Sequence, residues 1–440
     1  MMGGMSAVSA PAVRPDLSGR DLTLDLARVV CVLFVIVVHL LQVGIGPGPD
    51  GALVASRPAE QQPWFTTATW IGQIMPLFFV VGGFASAAGW ASWTKRGGDA
   101  TGFIRGRTVR LAQPALPLFV FFAVVLGAAA LLQLAPELVS AAAVGAGSPL
   151  WFLAAYLICQ ELVPVLVRWH ERAPWATVAV LFAGVVLVDV ARYSTGVTEI
   201  GLLNLLFVWP LAQQFGFWYR DGWFDRRSVP TLLAIAAACY VVLWVLTSWG
   251  PYPASMLEGL NPPALPLVIL GLAQACLLRV LKPALTRLMA LRPVQGFVFL
   301  MGTRLMTVYL WHLPVILIVT GVTLLIPGAA PTPASEAWWW SRPIMFVAVL
   351  LVVFALSLLL VRWERVGALG PAPSTAIVAL AWVCAFIPPF AVMQWFLGLW
   401  IAVGGSLLLA ASVLLLRHRG FAGPVGSTGS APGASSGAAS

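Results

Sequence analysis

The stretch Leu24 to Ile45, LDLARVVCVLFVIVVHLLQVGI, is apolar enough to cross a bilayer yet carries three ionisable side chains, Asp25, Arg28 and His39. At 1.5 Å and 100° per residue, the spacing from Arg28 to His39 puts both on nearly one helix face, roughly 16 Å apart, with Asp25 close to that face. With Arg28 at one membrane surface, His39 is expected near the middle of a hydrocarbon core about 30 Å thick. An ionisable group at that depth is costly and marks a functional position facing the bundle or water. An imidazole there can serve as an interhelical hydrogen-bond partner, a proton relay or a general base, and its ordinary pKa of about 6.5 suits proton transfer near neutrality. Arg28 by itself reads equally as a snorkelling topology marker or an i,i+3 partner of Asp25.

Four further motifs carry residues of chemical interest. Met75 to Trp90, MPLFFVVGGFASAAGW, has one small side at Gly82, Gly83 and Gly89. Close helix packing explains it, and a narrow chain could also lie along it. In FIRGRTVRLAQP, Arg107 and Arg110 share a face. They serve as topology markers or as a phosphate clamp, since guanidinium forks match phosphate oxygens. SPLWFLAAYLICQEL places Tyr156, Gln160 and Glu161 inside an apolar run, Glu161 either pairing structurally with an arginine or acting in chemistry. GTRLMTVYLWHLPV combines Arg304, Tyr309 and His312, the last two on adjacent faces.

The elements that must position these residues are membrane helices. The chain is 60% hydrophobic and 9% charged, and apolar runs recur near 24 to 45, 70 to 91, 113 to 134, 149 to 167, 175 to 191, 200 to 218, 229 to 247, 264 to 281, 296 to 326, 343 to 361, 374 to 391 and 393 to 416. The expected fold is therefore an all-α polytopic bundle of twelve spans. With both termini cytoplasmic, 21 of the 25 basic residues fall in inside loops, which explains the net charge of +9 without nucleic acid. Arg57, Arg192 and Arg342 face out, and Arg304 falls within a span. Pro388 and Pro389 divide the last apolar run into two spans. Residues 1 to 20, where Ser18 or Asp21 could cap the first helix, read as a disordered leader, and 420 to 440 as a disordered tail. The leader's acidic residues and the lack of a cleavage pattern argue against a secretory signal. The five cysteines sit in apolar segments without metal-ligand spacing and read as small buried hydrophobes, so no metal site is expected. Tryptophans of the outer loops, Trp64 and Trp338 to Trp340, with Tyr252, read as interfacial anchors or, less simply, as flat faces for a sugar.

Taken together and in this order, LDLARVVCVLFVIVVH, MPLFFVVGGF, RTVRLAQP, SPLWFL and VYLWHLPV resemble the acyltransferase-3 family of integral membrane acyltransferases. The resemblance covers about residues 20 to 365 and implies a ten-span core over 21–365, followed here by an additional hairpin at 366–419. It also implies transfer of an acetyl or other short acyl group from cytoplasmic acyl-CoA, a co-substrate and not a tightly bound cofactor, to a hydroxyl. The acceptor would be extracytoplasmic or membrane-associated: a saccharide, glycolipid or small molecule. His39 would be the catalytic base, Arg28 would complete the arginine-x10-histidine motif, and Arg107 and Arg110 would bind the donor. Tyr156, Glu161, Arg304, Tyr309 and His312 are the candidates for acceptor binding or the oxyanion. Many relatives carry serine where Gly82 stands, which removes any hydroxyl role there. Membrane lipid is the expected surrounding and a bacterial plasma membrane the expected location. The rival is a twelve-span proton-coupled transporter using His39 and Glu161, although no two-half internal repeat is visible.

Overall fold

The structure, a computed structural model, describes residues 21–48, 51–367 and 369–417. The leader with Ser18, and the C-terminal tail at 420 to 440, lie outside the described residues. Among these residues, twelve helical segments are long and apolar enough to cross a membrane, matching the twelve apolar runs. The chain opens with α1 (Leu22–Gln42), a small antiparallel hairpin of β1 (Gly44–Pro47) and β2 (Leu53–Ser56), then α2 (Phe65–Gly72), α3 (Met75–Lys95) and α4 (Ala100–Leu131). Next come α5 (Pro136–Gly147), α6 (Trp151–Arg172), α7 (Pro174–Thr195), α8 (Val208–Arg220), α9 (Val229–Ser248) and α10 (Leu265–Met289). The last part holds α11 (Arg292–Gly302), α12 (Leu305–Leu324), α13 (Glu336–Leu359), the single turn α14 (Val361–Glu364), and the hairpin α15 (Thr375–Trp395) and α16 (Leu399–Arg417).

Several spans are interrupted where the apolar pattern is continuous. The span expected at 296 to 326 is two helices, α11 and α12, broken at Thr303 and Arg304. Arg304 is thus not within a membrane helix. It stands at the start of α12, where its Nη1 donates to the Ser357 carbonyl at 2.6 Å, near the end of α13. Glu364 completes that corner by accepting from Thr307 N at 2.8 Å. Burial pushes the Glu364 carboxyl up, against the pull of the Thr307 bonds and of Arg304. The span at 200 to 218 begins as a 3₁₀ helix, Thr198–Leu206, before continuing as α8. Pro388 and Pro389 do not divide the last two spans: both lie inside α15, and the turn falls after Trp395, at Phe396 with φ 61°. Two consecutive prolines delete two ladder bonds, but helix packing on both sides of a buried segment holds the helix together.

Helix α1 packs on α3, α10, α11, α12 and α13. Asp21 caps it, accepting from Thr23 N at 3.0 Å, and pairs with Lys282 of α10 at 3.0 Å. Burial raises that carboxyl, but the Thr23 bonds and the Lys282 ammonium more than offset it and hold it below the usual carboxylate range. Helices α3 and α8 cross at two glycines. A Cβ on Gly83 would collide with the Gln213 carbonyl, and one on Gly216 would collide with the Val80 carbonyl and come within 2.6 Å of Phe84 N. These are backbone atoms, which cannot swing aside. We therefore expect Gly216→Val to cost at least the ~1–3 kcal/mol typical of overpacking, read as a fall in the thermal midpoint of the detergent-purified protein.

Candidate active site

His39 lies in the last turn of α1, nearer the helix end than the mid-membrane depth that spacing from Arg28 suggests. The chain folds back over it, Ala59 N donating to the Leu41 carbonyl at 3.3 Å and Gln42 Nε2 to Glu60 at 2.8 Å. The imidazole points into the bundle: its ring centroid is 5.1 Å from that of His312 on α12, the planes tilted by 38°. His39 stays partly accessible, whereas His312 is 0% exposed.

The chemistry of His312 is fixed by one contact. Its Nδ1 lies 2.5 Å from the Tyr309 carbonyl oxygen. A carbonyl can only accept, so Nδ1 carries the proton, and in the neutral ring Nε2 is a lone-pair acceptor. That Nε2 is buried without a protein partner, a condition that costs about 1–3 kcal/mol unless a polar group meets it. Tyr309 is committed as a donor, its hydroxyl going to the Pro149 carbonyl at 2.9 Å. The Tyr309 proton is thus spent on Pro149, and neutral His312 presents a lone pair, so neither offers the free proton an oxyanion needs. Of the two roles open to His312, an acceptor's hydroxyl fits better.

A continuous row of rings leads from this pair to the arginines. Tyr309 packs on His312 at 5.6 Å between centroids, Phe152 on Tyr309 at 4.8 Å, and Tyr156 stacks on Phe152 at 5.3 Å. Tyr156 in turn lies within electrostatic reach of Arg107, as do Arg28 and Arg110. Among the described residues, none of these three arginines forms an ion pair with a carboxylate. Three clustered cations with no ion-pair partner among the described residues make a natural anion site.

The small side of α3 is filled by protein and does not form an open track for a chain. Gly83 takes α8. At Gly82 an added Cβ would meet the Tyr156 ring at 3.3 Å, and at Gly89 it would run into Arg107 Nη2. Tyr156 therefore occupies the neighbourhood in which a serine at 82 would place its hydroxyl. Gly89→Val should displace the Arg107 guanidinium and raise the KM for an anionic donor about tenfold, leaving kcat near wild type, because uniform binding is what is lost. Steady-state kinetics against donor concentration checks this.

The remaining candidates disperse. Glu161 Oε2 is buried without a partner, and among the described residues no arginine pairs with it. Arg304 serves the helix corner described above. Tyr252 donates to Asp189 at 2.9 Å and Trp338 is buried under Arg342, so both are structural, while Trp340 is 73% exposed and fits an anchor. Arg57, which sequence places merely on the outer side, comes within electrostatic reach of His39. A cavity of about 470 Å³ lies apart from all of these, between the end of α4, α5 and the α15–α16 turn.

A family model described as an acyltransferase domain, that of the acyltransferase-3 family, matches residues 21–362. No curated protein and no solved structure matches the chain. The match spans α1 to α13, ends inside the single turn α14, and stops short of the α15–α16 hairpin.

Proposed function

Because the chain belongs to the acyltransferase-3 family and is a multi-pass membrane acyltransferase, we propose that it is an O-acyltransferase that moves a short acyl group from acyl-CoA to a hydroxyl of a saccharide, glycolipid or small molecule, with His39 as general base. The observation that carries this reading is the His39–His312 pair, 5.1 Å apart inside the bundle and joined by the aromatic row to three arginines that form no ion pair among the described residues. The basic end of the bundle faces the cytoplasm by the distribution of positive charge. Arg28, Arg107 and Arg110 hold the donor's phosphates there, and the pantetheine arm reaches inward past Tyr156 and Phe152.

At the imidazole pair the reacting hydroxyl delivers its proton to His39 as its oxygen attacks the thioester carbonyl, while His312 Nε2 accepts from a second hydroxyl of the acceptor and so fixes its position. The tetrahedral adduct collapses by breaking the C–S bond, and the thiolate leaves with the proton from His39. The acceptor gains the acyl group and free CoA thiol is released, so atoms balance. Preorganisation of two rings and a donor clamp converts a three-body encounter into a local one.

The test is acyl-CoA turnover by the purified protein in proteoliposomes made with envelope extracts, followed by mass spectrometry of the products. Thiol release with a matching acyl mass gain on a hydroxylated product is expected. Solute uptake driven by a proton gradient, with no thiol released, would replace this reading with the transporter.

A further inference from the structure

We propose that the hairpin of α15 and α16 is a brace that sets the donor arginines, and that Arg105 is the positioning residue through which it acts. The proposal rests on the assignment of Arg107 and Arg110 to the donor. Sequence patterning treats Arg105 as one more loop charge, yet its side chain is buried, with 3% exposure. Nε and Nη2 donate to the Leu416 carbonyl at 2.8 and 2.6 Å, and Nη1 donates to the Gly370 and Pro371 carbonyls at 2.6 and 2.9 Å. Leu416 lies in the last described turn of α16. Gly370 and Pro371 belong to the connection into α15. One planar fork thus satisfies three carbonyls from two segments, a geometry that an ammonium cannot copy.

A second tie runs beside it. Gln113 Nε2 donates to the Arg362 and Arg365 carbonyls at 3.2 and 3.3 Å, and its Oε1 accepts from Arg417 Nη2 at 2.6 Å. Val109, Val378, Ala381 and Leu416 close a small apolar cluster of their own around the clasp. At 100° per residue, Arg107 and Arg110 stand about 200° and 140° around α4 from Arg105. The hairpin therefore grips the back of α4 while the two arginines leave from its front, where Arg107 meets Gly89 and comes within reach of Arg28. Undocking the hairpin would strand a buried cation without its carbonyls, so docking and the setting of this stretch of α4 are one cooperative unit.

The experiment compares wild type, Arg105→Lys, Arg105→Met, and Arg105→Met carrying Thr101→Cys and Thr375→Cys. The hydroxyls of Thr101 and Thr375 lie 3.1 Å apart across α4 and α15, so an oxidised cysteine pair re-staples the hairpin. With acyl-CoA in proteoliposomes, both single variants should raise the donor KM about tenfold with kcat within about twofold of wild type. Oxidising the cysteine pair should return KM to within about threefold of wild type, and reduction should undo the rescue. Unchanged KM in Arg105→Met, a fall in kcat at constant KM, loss of the folded protein in both single variants, or no rescue on oxidation would overturn the proposal. A wild type that does not use acyl-CoA removes the donor assignment and this proposal with it, whereas normal donor use by wild type and variants alike removes the proposal alone.

Discussion

Replacing His39 with glutamine should lower acyl transfer by about 10³-fold or more while leaving donor binding within about twofold of wild type. Glutamine keeps roughly the length and polarity of the side chain, so the packing of α1 against α12 survives, but it cannot take a proton from an alcohol whose pKa lies far above neutrality. Loss of a positioned base is worth about 10²–10⁴-fold, and in the proposed reaction the base also returns the proton to the departing thiolate, so both halves of that reaction would suffer. The check is single-turnover thiol release paired with equilibrium binding of CoA. A variant that keeps normal turnover would leave His39 as a packing or hydrogen-bonding residue.

The second large effect is expected at His312. Phenylalanine there retains the ring and its packing but removes the Nε2 lone pair, and with it the grip on the acceptor's second, non-reacting hydroxyl. We expect kcat over KM for the acceptor to fall about 10²-fold with the donor KM unchanged, the signature of a misplaced nucleophile. Glutamine at the same position can present an amide oxygen and should recover part of the loss. The order wild type, glutamine, phenylalanine distinguishes a hydrogen-bonding role from a steric one. Equal activity in all three would mean that the 5.1 Å contact is packing and nothing more.

The two histidines also show what could be read from the chain and what could not. Each is visible alone as an ionisable group in an apolar run, and the spacing from Arg28 to His39 puts that pair on one face by helix geometry. Their meeting depends on how α1 packs against α12, a contact between residues far apart in sequence that no local period encodes. The same holds for Arg105: in a segment of five basic residues, a guanidinium clasped to carbonyls from the far end of the chain looks like any loop charge. Hydropathy counted the spans correctly because burial of backbone in lipid demands whole helices. It missed the break at Thr303 and Arg304 because a corner satisfied by Ser357 and Glu364 leaves no trace in apolar periodicity. Gly83, Gly82 and Gly89 were visible as a small side, but only packing shows that a helix, a tyrosine and an arginine fill them.

All of this depends on donor phosphates and the imidazole pair belonging to one site. The most direct measurement is an experimental structure of the protein with a non-hydrolysable acyl-CoA analogue in lipid nanodiscs. Phosphates against Arg28, Arg107 and Arg110, with the thioester mimic beside His39 and His312, is the expected result. An analogue bound at the basic end with its acyl arm directed away from His39, or seated elsewhere on the protein, would contradict it.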